Sequence, residues 1–520
     1  MNRRRVTALF ALVALLATGL RVFLICTGQP HVDVDVNVGY DEAVYVGASW
    51  LLRNGHLPYR DFVFVFPPGF LVVLWPVTFV SSLFGGPALT VTLLRIVAAA
   101  VGGVNTYLVA RLGSRWLGWS GGIVAGMMYA TVPAVVATES LGLQEPFVNL
   151  AVLAAYGLWL RAGPRRQSGP VLVSGILIGC AISIKLFAGV FIVPLLLVGY
   201  FRRPIVDRIR LLVATAIPLV VLLTVLVPVV GWRDPFRQMI QAQFLRPRDG
   251  AGLSRVNSLL PGLDERYGFG QLSGGVAWIA LALFGGCCLA LAVRRSDDGR
   301  LWGVVGLVTL GALMISPSYF PHYGSMLAPT GVLVAAWVAG SVLRALDQGS
   351  TRFATAGLLS VGLVIASVQL DAVSDAAAAR VDRSDPVLDR RIHAADCIFA
   401  VRPQALIDAN ELPAVIHGYR ALVDVYGSTL VAAIDAATPK ANFGGHAFPA
   451  IQQEILGQGD RCGNTLLLDR ACAAGRKDLS ARTESVIRRR SVLAMRRWCW
   501  RIFRNKPHST RPSTHRPSTR

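Results

Sequence analysis

Apolar runs close to the roughly 20 residues needed to cross a hydrocarbon core recur from the N-terminus to about Leu370 and then stop. A chain with that pattern has the bilayer as its solvent. Composition agrees, with 53% hydrophobic and 16% charged residues and a mean hydropathy of +0.52, against roughly one-quarter charged residues in a soluble domain. The predicted fold class is an all-α polytopic membrane module over residues 1–372, followed by a small extracytoplasmic α/β domain at 373–485 and a basic, partly disordered tail at 486–520.

A net charge of +21 is compatible with nucleic-acid binding, but the arginines cluster in short loops between apolar runs and near the C-terminus. In a membrane protein such arginines report topology, so no nucleic-acid partner is expected. Of eight cysteines, Cys26, Cys180, Cys287 and Cys288 lie in or at the end of apolar runs and read as small core residues. Cys397, Cys462, Cys472 and Cys499 lie beyond the membrane part, and their spacing neither forms a zinc pattern nor fixes a disulfide pairing. Arg3-Arg4-Arg5 before the run Val6 to Cys26 has the charge pattern of a signal sequence. The run is long and no small-x-small site clearly follows it, which predicts a retained first helix with its N-terminus inside.

Clear spans are predicted over 6–26, 88–111, 117–138, 145–161, 211–230, 274–294, 301–318, 324–343 and 353–371. Two stretches admit two readings. Residues 62–84 are apolar but broken by Pro67, Pro68 and Pro76, and 171–201 is long for one span, with Lys185 at its middle. If the first crosses and the second is one helix, Arg111, Arg115, Arg161, Arg165 and Arg166 all face outside, against the positive-inside rule. If the first is interfacial and the second a helix hairpin, those five arginines face the cytoplasm. The second reading gives eleven spans and puts four polar features on one outside face: the 27–87 loop, the 139–145 loop, the 231–273 loop and Tyr319 to Tyr323. A shared face is what an active site requires.

The first of these loops carries Tyr40-Asp41-Glu42, then Phe64-Val65-Phe66-Pro67-Pro68-Gly69. Alone, an acidic pair in a loop is usually solvated. Three further features accompany it: Gln144-Glu145-Pro146, Gly175 to Lys185, and Pro321-His322-Tyr323. Together these resemble the GT-C glycosyltransferase fold, and within it the protein O-mannosyltransferase and aminoarabinose-transferase-like superfamily, over roughly residues 1–345. The composition, rich in Ala, Val, Arg and Gly, is that of a GC-rich bacterial genome, so a bacterial, actinobacterial-type member is expected.

The resemblance implies a sugar donor on a polyprenyl phosphate and an acidic general base in the first outside loop. It places that base at Asp41, with Glu42 beside it. An acceptor hydroxyl needs a carboxylate within hydrogen-bond reach as bond formation begins. The competing reading has Asp41 cap the amphipathic helix that follows. The leaving phosphate needs cations, and a lysine in mid-run is costly enough to suggest that purpose for Lys185; snorkelling to the interface is the alternative. His322 and Tyr323 are candidates for the same phosphate or for the acceptor. Arg246 and Arg248, in the long outside loop, fit the donor phosphate or anionic lipid heads equally well.

Glu139 and Glu145 flank the second loop, and metal-using members of the wider fold carry an acidic metal ligand there. The resemblance therefore allows Asp41 or Glu42, together with Glu145, to form an oxygen site for a divalent cation such as Mg or Mn. This chain departs from the aminoarabinose-transferase pattern, with Val65-Phe66 where a Glu-Lys precedes the Pro-Pro.

The expected partners are a polyprenyl-phosphate-sugar donor, membrane lipid, and a cell-envelope glycan, lipid or protein acceptor at the outer face of a bacterial cytoplasmic membrane. The rival class is a transporter or lipid-linked-sugar flippase, which would place charges along a midplane pathway, often with internal repeats.

Overall fold

The computed structural model describes residues 2–26, 35–162, 168–246, 274–294, 296–317, 319–346, 399–400, 406–407, 421–435 and 465–466. The described chain is mostly helical. Five helices are long and apolar enough to cross a membrane: α1 (Arg3–Cys26), α4 (Pro87–Thr131), α9 (Ile205–Val230), α13 (Asp297–Ile315) and, within α14 (Gly324–Leu346), Gly324–Leu343. Large apolar side chains such as Leu15, Phe23, Val225 and Leu283 are exposed on the isolated chain, as lipid-facing positions are. The chain is a multi-pass membrane protein.

Helix α4 is two antiparallel arms. Gly118, with φ 79°, turns the chain between them, a conformation that a side chain disfavours. The arms then touch through small residues: a Cβ on Gly122 would lie 2.5 Å from the Ala110 carbonyl oxygen. Between apolar helices in lipid there is no hydrophobic gain from association, so close backbone packing at small residues takes its place. The same device joins α7 (Ser168–Ile184) to α9, where Gly175 faces the Leu211 carbonyl and Ala214.

The stretch expected as a single span over 117–138 is interrupted. Helix ends at Thr131, Val132 breaks it, and Pro133 opens the short α5 (Pro133–Glu139). The long apolar stretch around Lys185 turns back on itself. Helix α7 ends at Ile184, Lys185 is extended (φ −143°, ψ 118°), and a 3-10 turn leads into α8 (Ile192–Arg202). Helix α6 (Glu145–Arg161) supplies the yardstick: Lys185 pairs with its first residue, Glu145, whereas Arg203 donates to the Trp159 carbonyl near its other end (2.8 Å).

The proline-broken stretch divides too. Residues 59–66 are extended or turn, and α3 (Gly69–Phe84) follows, 16 residues long, about 24 Å at 1.5 Å per residue and short of a ~30 Å core. Its exposed face carries Val72, Trp75, Phe79 and Phe84. Gly69 begins α3 because a Cβ there would run into the backbone of Ser183, two residues before Lys185.

In the C-terminal part, two two-residue strands, β1 (Phe399–Ala400) and β2 (Thr465–Leu466), pair in parallel. One helix, α15 (Val425–Asp435), packs on the membrane module through Leu430, Val431 and Ala433 against Val63, Val65 and Ala242. The expected span 353–371, Arg248, and Cys397, Cys462, Cys472 and Cys499 lie outside the described residues.

Candidate active site

Helix α2 (Asp35–Arg53) carries the acidic pair. Neighbouring helical residues point about 100° apart, so the two carboxylates cannot share a surface. Glu42 faces α4. It receives Arg95 Nε at 2.8 Å, Arg95 Nη2 at 2.5 Å and the Gly142 backbone amide at 2.8 Å, and it is buried. Its charge is spent on fixing α2 to α4 and to the 140–143 turn. Asp41 faces the other way, into a cleft, with a fifth of its side chain accessible.

The cleft gathers residues from across the chain. Glu145, at the start of α6, pairs with Lys185 at the break after α7. The Lys185 Nζ also lies 3.9 Å from the centre of the Tyr323 ring. His322 sits in the 3-10 turn Pro321–Tyr323 that opens α14; its Nε2 stands between two carboxylates, 3.5 Å from Glu145 and 3.9 Å from Asp41. Burial pushes the Asp41 carboxyl up to about 7, opposed by Lys185 and reinforced by Asp424.

Arg246 enters from the other side, at the end of α11 (Ala242–Leu245). Two glutamines on the preceding helical turns hold it in register. Gln238, on the π turn Phe236–Gln241, accepts from the Phe64 amide and donates to the Tyr59 carbonyl, both at 2.9 Å. Gln243 donates to the Val65 carbonyl at 2.6 Å. The extended 59–66 segment, with Tyr59 at φ 70°, thereby has its buried backbone groups satisfied by side chains. Phe66 from that segment and Tyr426 lie beside the Arg246 guanidinium, 6.0 and 5.7 Å from ring centre to charge. Arg246 is buried, and its Nε has no hydrogen-bond partner among the described residues. Burying a cation with an unpaired donor is costly, and Asp424 and Asp41 are the carboxylates whose charge acts on it.

Glu139 lies elsewhere. It is buried in a network with Arg21 (2.6 Å), the Tyr129 hydroxyl (2.8 Å) and the Asn105 amide (3.1 Å), which locks α1, α4 and α5 together. Of the two carboxylates expected to join Glu145 in an oxygen site, Glu42 is turned away and paired with Arg95, whereas Asp41 shares His322 with Glu145, which is itself paired with Lys185. No cluster of three His, Cys, Asp or Glu among the described residues could hold a metal ion.

Sequence reasoning missed Arg21, Arg95 and Asp424. Arginines inside apolar runs were a readable sign, since an intramembrane charge demands a partner. Asp424 had none. It comes from a mixed soluble stretch, and only tertiary packing brings it to Tyr40.

The model of glycosyltransferase family 87 matches residues 64–317. No curated protein matches at a significant level. Among solved structures, the chain is similar to ArnT from Cupriavidus metallidurans bound to undecaprenyl phosphate, at 15% identity and a TM-score of 0.51 over 82% of this chain and 88% of that one. It is also similar to the oligosaccharyltransferase of Archaeoglobus fulgidus in complex with Zn and sulfate, at 13% identity and a TM-score of 0.51 over 79% of this chain. This chain spans 62% of that larger protein. The fold is therefore that of the GT-C membrane glycosyltransferases, with the region 64–317 matching glycosyltransferase family 87.

Proposed function

We propose that this protein is a membrane glycosyltransferase that moves a sugar from a polyprenyl-phosphate donor to a cell-envelope acceptor at the outer face of the bacterial cytoplasmic membrane. The observation that carries the reading is the juxtaposition of Asp41, a carboxylate with its proton affinity set near neutrality, and Arg246, a buried guanidinium with an unmatched donor. The similarity to a structure bound to undecaprenyl phosphate supports the donor class.

In this mechanism the acceptor hydroxyl gives its proton to Asp41 as its oxygen attacks the anomeric carbon. The bond from that carbon to the phosphate oxygen breaks, and polyprenyl phosphate leaves with the electron pair. A single displacement of this kind inverts the anomeric centre. Arg246 meets the charge growing on the phosphate, where a preorganised donor in a water-poor site is most effective. Lys185 is already balanced by Glu145, so its remaining donors are auxiliary. Glu145 holds Lys185 and His322 in place on that side of the cleft. Burial suits Asp41 to the task, because a base with a pKa near the working pH is the efficient one.

The test is transfer from labelled polyprenyl-phosphate sugars to envelope acceptors by purified protein in vesicles, wild type against Asp41→Asn. The expected result is a loss of about 10²- to 10⁴-fold, the usual contribution of a positioned base. Equal rates remove Asp41 from the mechanism. Translocation of the labelled lipid without transfer by the wild type marks a flippase instead.

A further inference from the structure

Asp424 is 384 residues from Tyr40 in sequence, yet its Oδ1 accepts the Tyr40 hydroxyl at 2.8 Å. The same oxygen accepts the Gly427 amide at 2.8 Å, and the Asp424 carbonyl accepts Ser428 N at 2.8 Å. This is the geometry of an N-cap on α15. The Tyr426 amide points back at the Tyr40 oxygen from 3.3 Å. Tyr40 is thus held both as donor and as acceptor by the first turn of a helix from the C-terminal part. Two further ties hold that helix against the module: Ala421 N donates to the Asp61 carbonyl at 2.9 Å, and Asp435 pairs with Arg237. The residue after Tyr40 is Asp41.

We infer that Asp424 is a positioning residue for the helix that carries Asp41: through the Tyr40 hydroxyl, the C-terminal part fixes α2 at its second turn and hence the aim of the Asp41 carboxylate. The inference rests on the reading of Asp41 as the base. Glu42 anchors α2 on the α4 side, and the Tyr40–Asp424 bond anchors it on the opposite side, so Asp41 lies between two fixed points. Burial raises the Asp424 carboxyl above its usual range, yet the bonds from Gly427, Tyr40 and Tyr426 favour its ionised form. An Asp that only capped α15 would need Gly427 N alone. The reach to Tyr40 is the additional feature, and it makes assembly of the active site depend on docking of the C-terminal part.

Two substitutions separate positioning from capping. Tyr40→Phe removes one hydroxyl and leaves the ring. Asp424→Ser keeps a capping oxygen for α15 but is too short for Tyr40. Both are expected to lower kcat about tenfold or more, since small misplacements of a catalytic group are costly, with the donor KM within twofold of wild type. The double variant should lose no more than either single one, because both remove the same bond. In an Asp41→Asn background, Tyr40→Phe should have no further effect. If both single variants keep kcat within twofold of wild type while Asp41→Asn abolishes transfer, the clamp is refuted and the base survives. A raised donor KM with unchanged kcat assigns the pair to binding and also overturns the inference. If Asp41→Asn itself keeps the wild-type rate, the base reading fails and takes the clamp with it.

Discussion

The two carboxylates of Asp41-Glu42 should separate cleanly under mutation, and Glu42→Gln is the informative change. In the folded protein Glu42 takes two bonds from the Arg95 guanidinium and one from Gly142 N, with side-chain exposures of 3% for Glu42 and 11% for Arg95. The amide is nearly isosteric, so the cavity term is small and the change is one of charge. It leaves a guanidinium nearly excluded from water without a counter-ion. Removing one partner of such a pair costs about 3–5 kcal/mol. The second expectation follows from the same physics: replacing both partners, as Glu42→Gln with Arg95→Leu, removes the stranded charge and should recover more than half of the loss. Thermal unfolding in detergent, followed by tryptophan fluorescence and by the soluble fraction after heating, measures both. The glutamine keeps an acceptor oxygen for Arg95 and Gly142, so α2 stays anchored in the folded protein, and transfer activity measured well below the unfolding transition should stay within a few-fold of wild type. A Glu42→Gln protein that melts with the wild type but transfers no sugar would refute the structural assignment and move Glu42 into the chemistry.

With the Asp41 pKa near 7, the fraction of active base rises from about a tenth at pH 6 to about nine-tenths at pH 8, so kcat/KM should climb roughly tenfold across that interval; a profile flat down to pH 5 contradicts it. The same shift has a sign for stability. A carboxyl whose pKa rises on folding holds its proton in the native state where the unfolded chain has lost it, so stability falls as pH climbs from about 4 to about 7. Asp41→Asn should therefore raise the melting temperature at pH 8 and leave it unchanged near pH 3. Arg246→Gln should raise the donor KM about tenfold or more, as expected for a charge-assisted bond of about 1.5–3 kcal/mol, without a comparable loss of stability; an unchanged KM in a donor titration removes Arg246 from phosphate binding. Gly122→Ala puts a methyl 2.5 Å from the Ala110 carbonyl and 2.7 Å from Ser114 Cβ, and should cost about 1–3 kcal/mol by parting the arms of α4, read as a lower melting temperature.

The sequence alone determined the solvent and grouped polar residues that the structure brings together. Long apolar runs can satisfy their backbone in lipid only as helices, so an all-helical membrane part was legible before any contact was known. The charge asymmetry of short loops, a property of sequence, put Asp41, Glu145, Lys185 and His322 together, and the cleft contains all four. Tertiary structure alone decided what each polar group faces. Asp41 and Glu42 are indistinguishable as a dipeptide, and helical rotation sends one to the cleft and the other to Arg95. Glu139 and Glu145, alike in the same loop, part in the same way, toward Arg21 and toward Lys185. Asp424 became part of the site only when α15 docked, for no local pattern encodes a hydrogen bond between residues 384 positions apart. Periodicity and charge are summed along the chain and can be read from it; the partner of a buried ion is fixed by packing in three dimensions, where the energy of leaving it unpaired is decided.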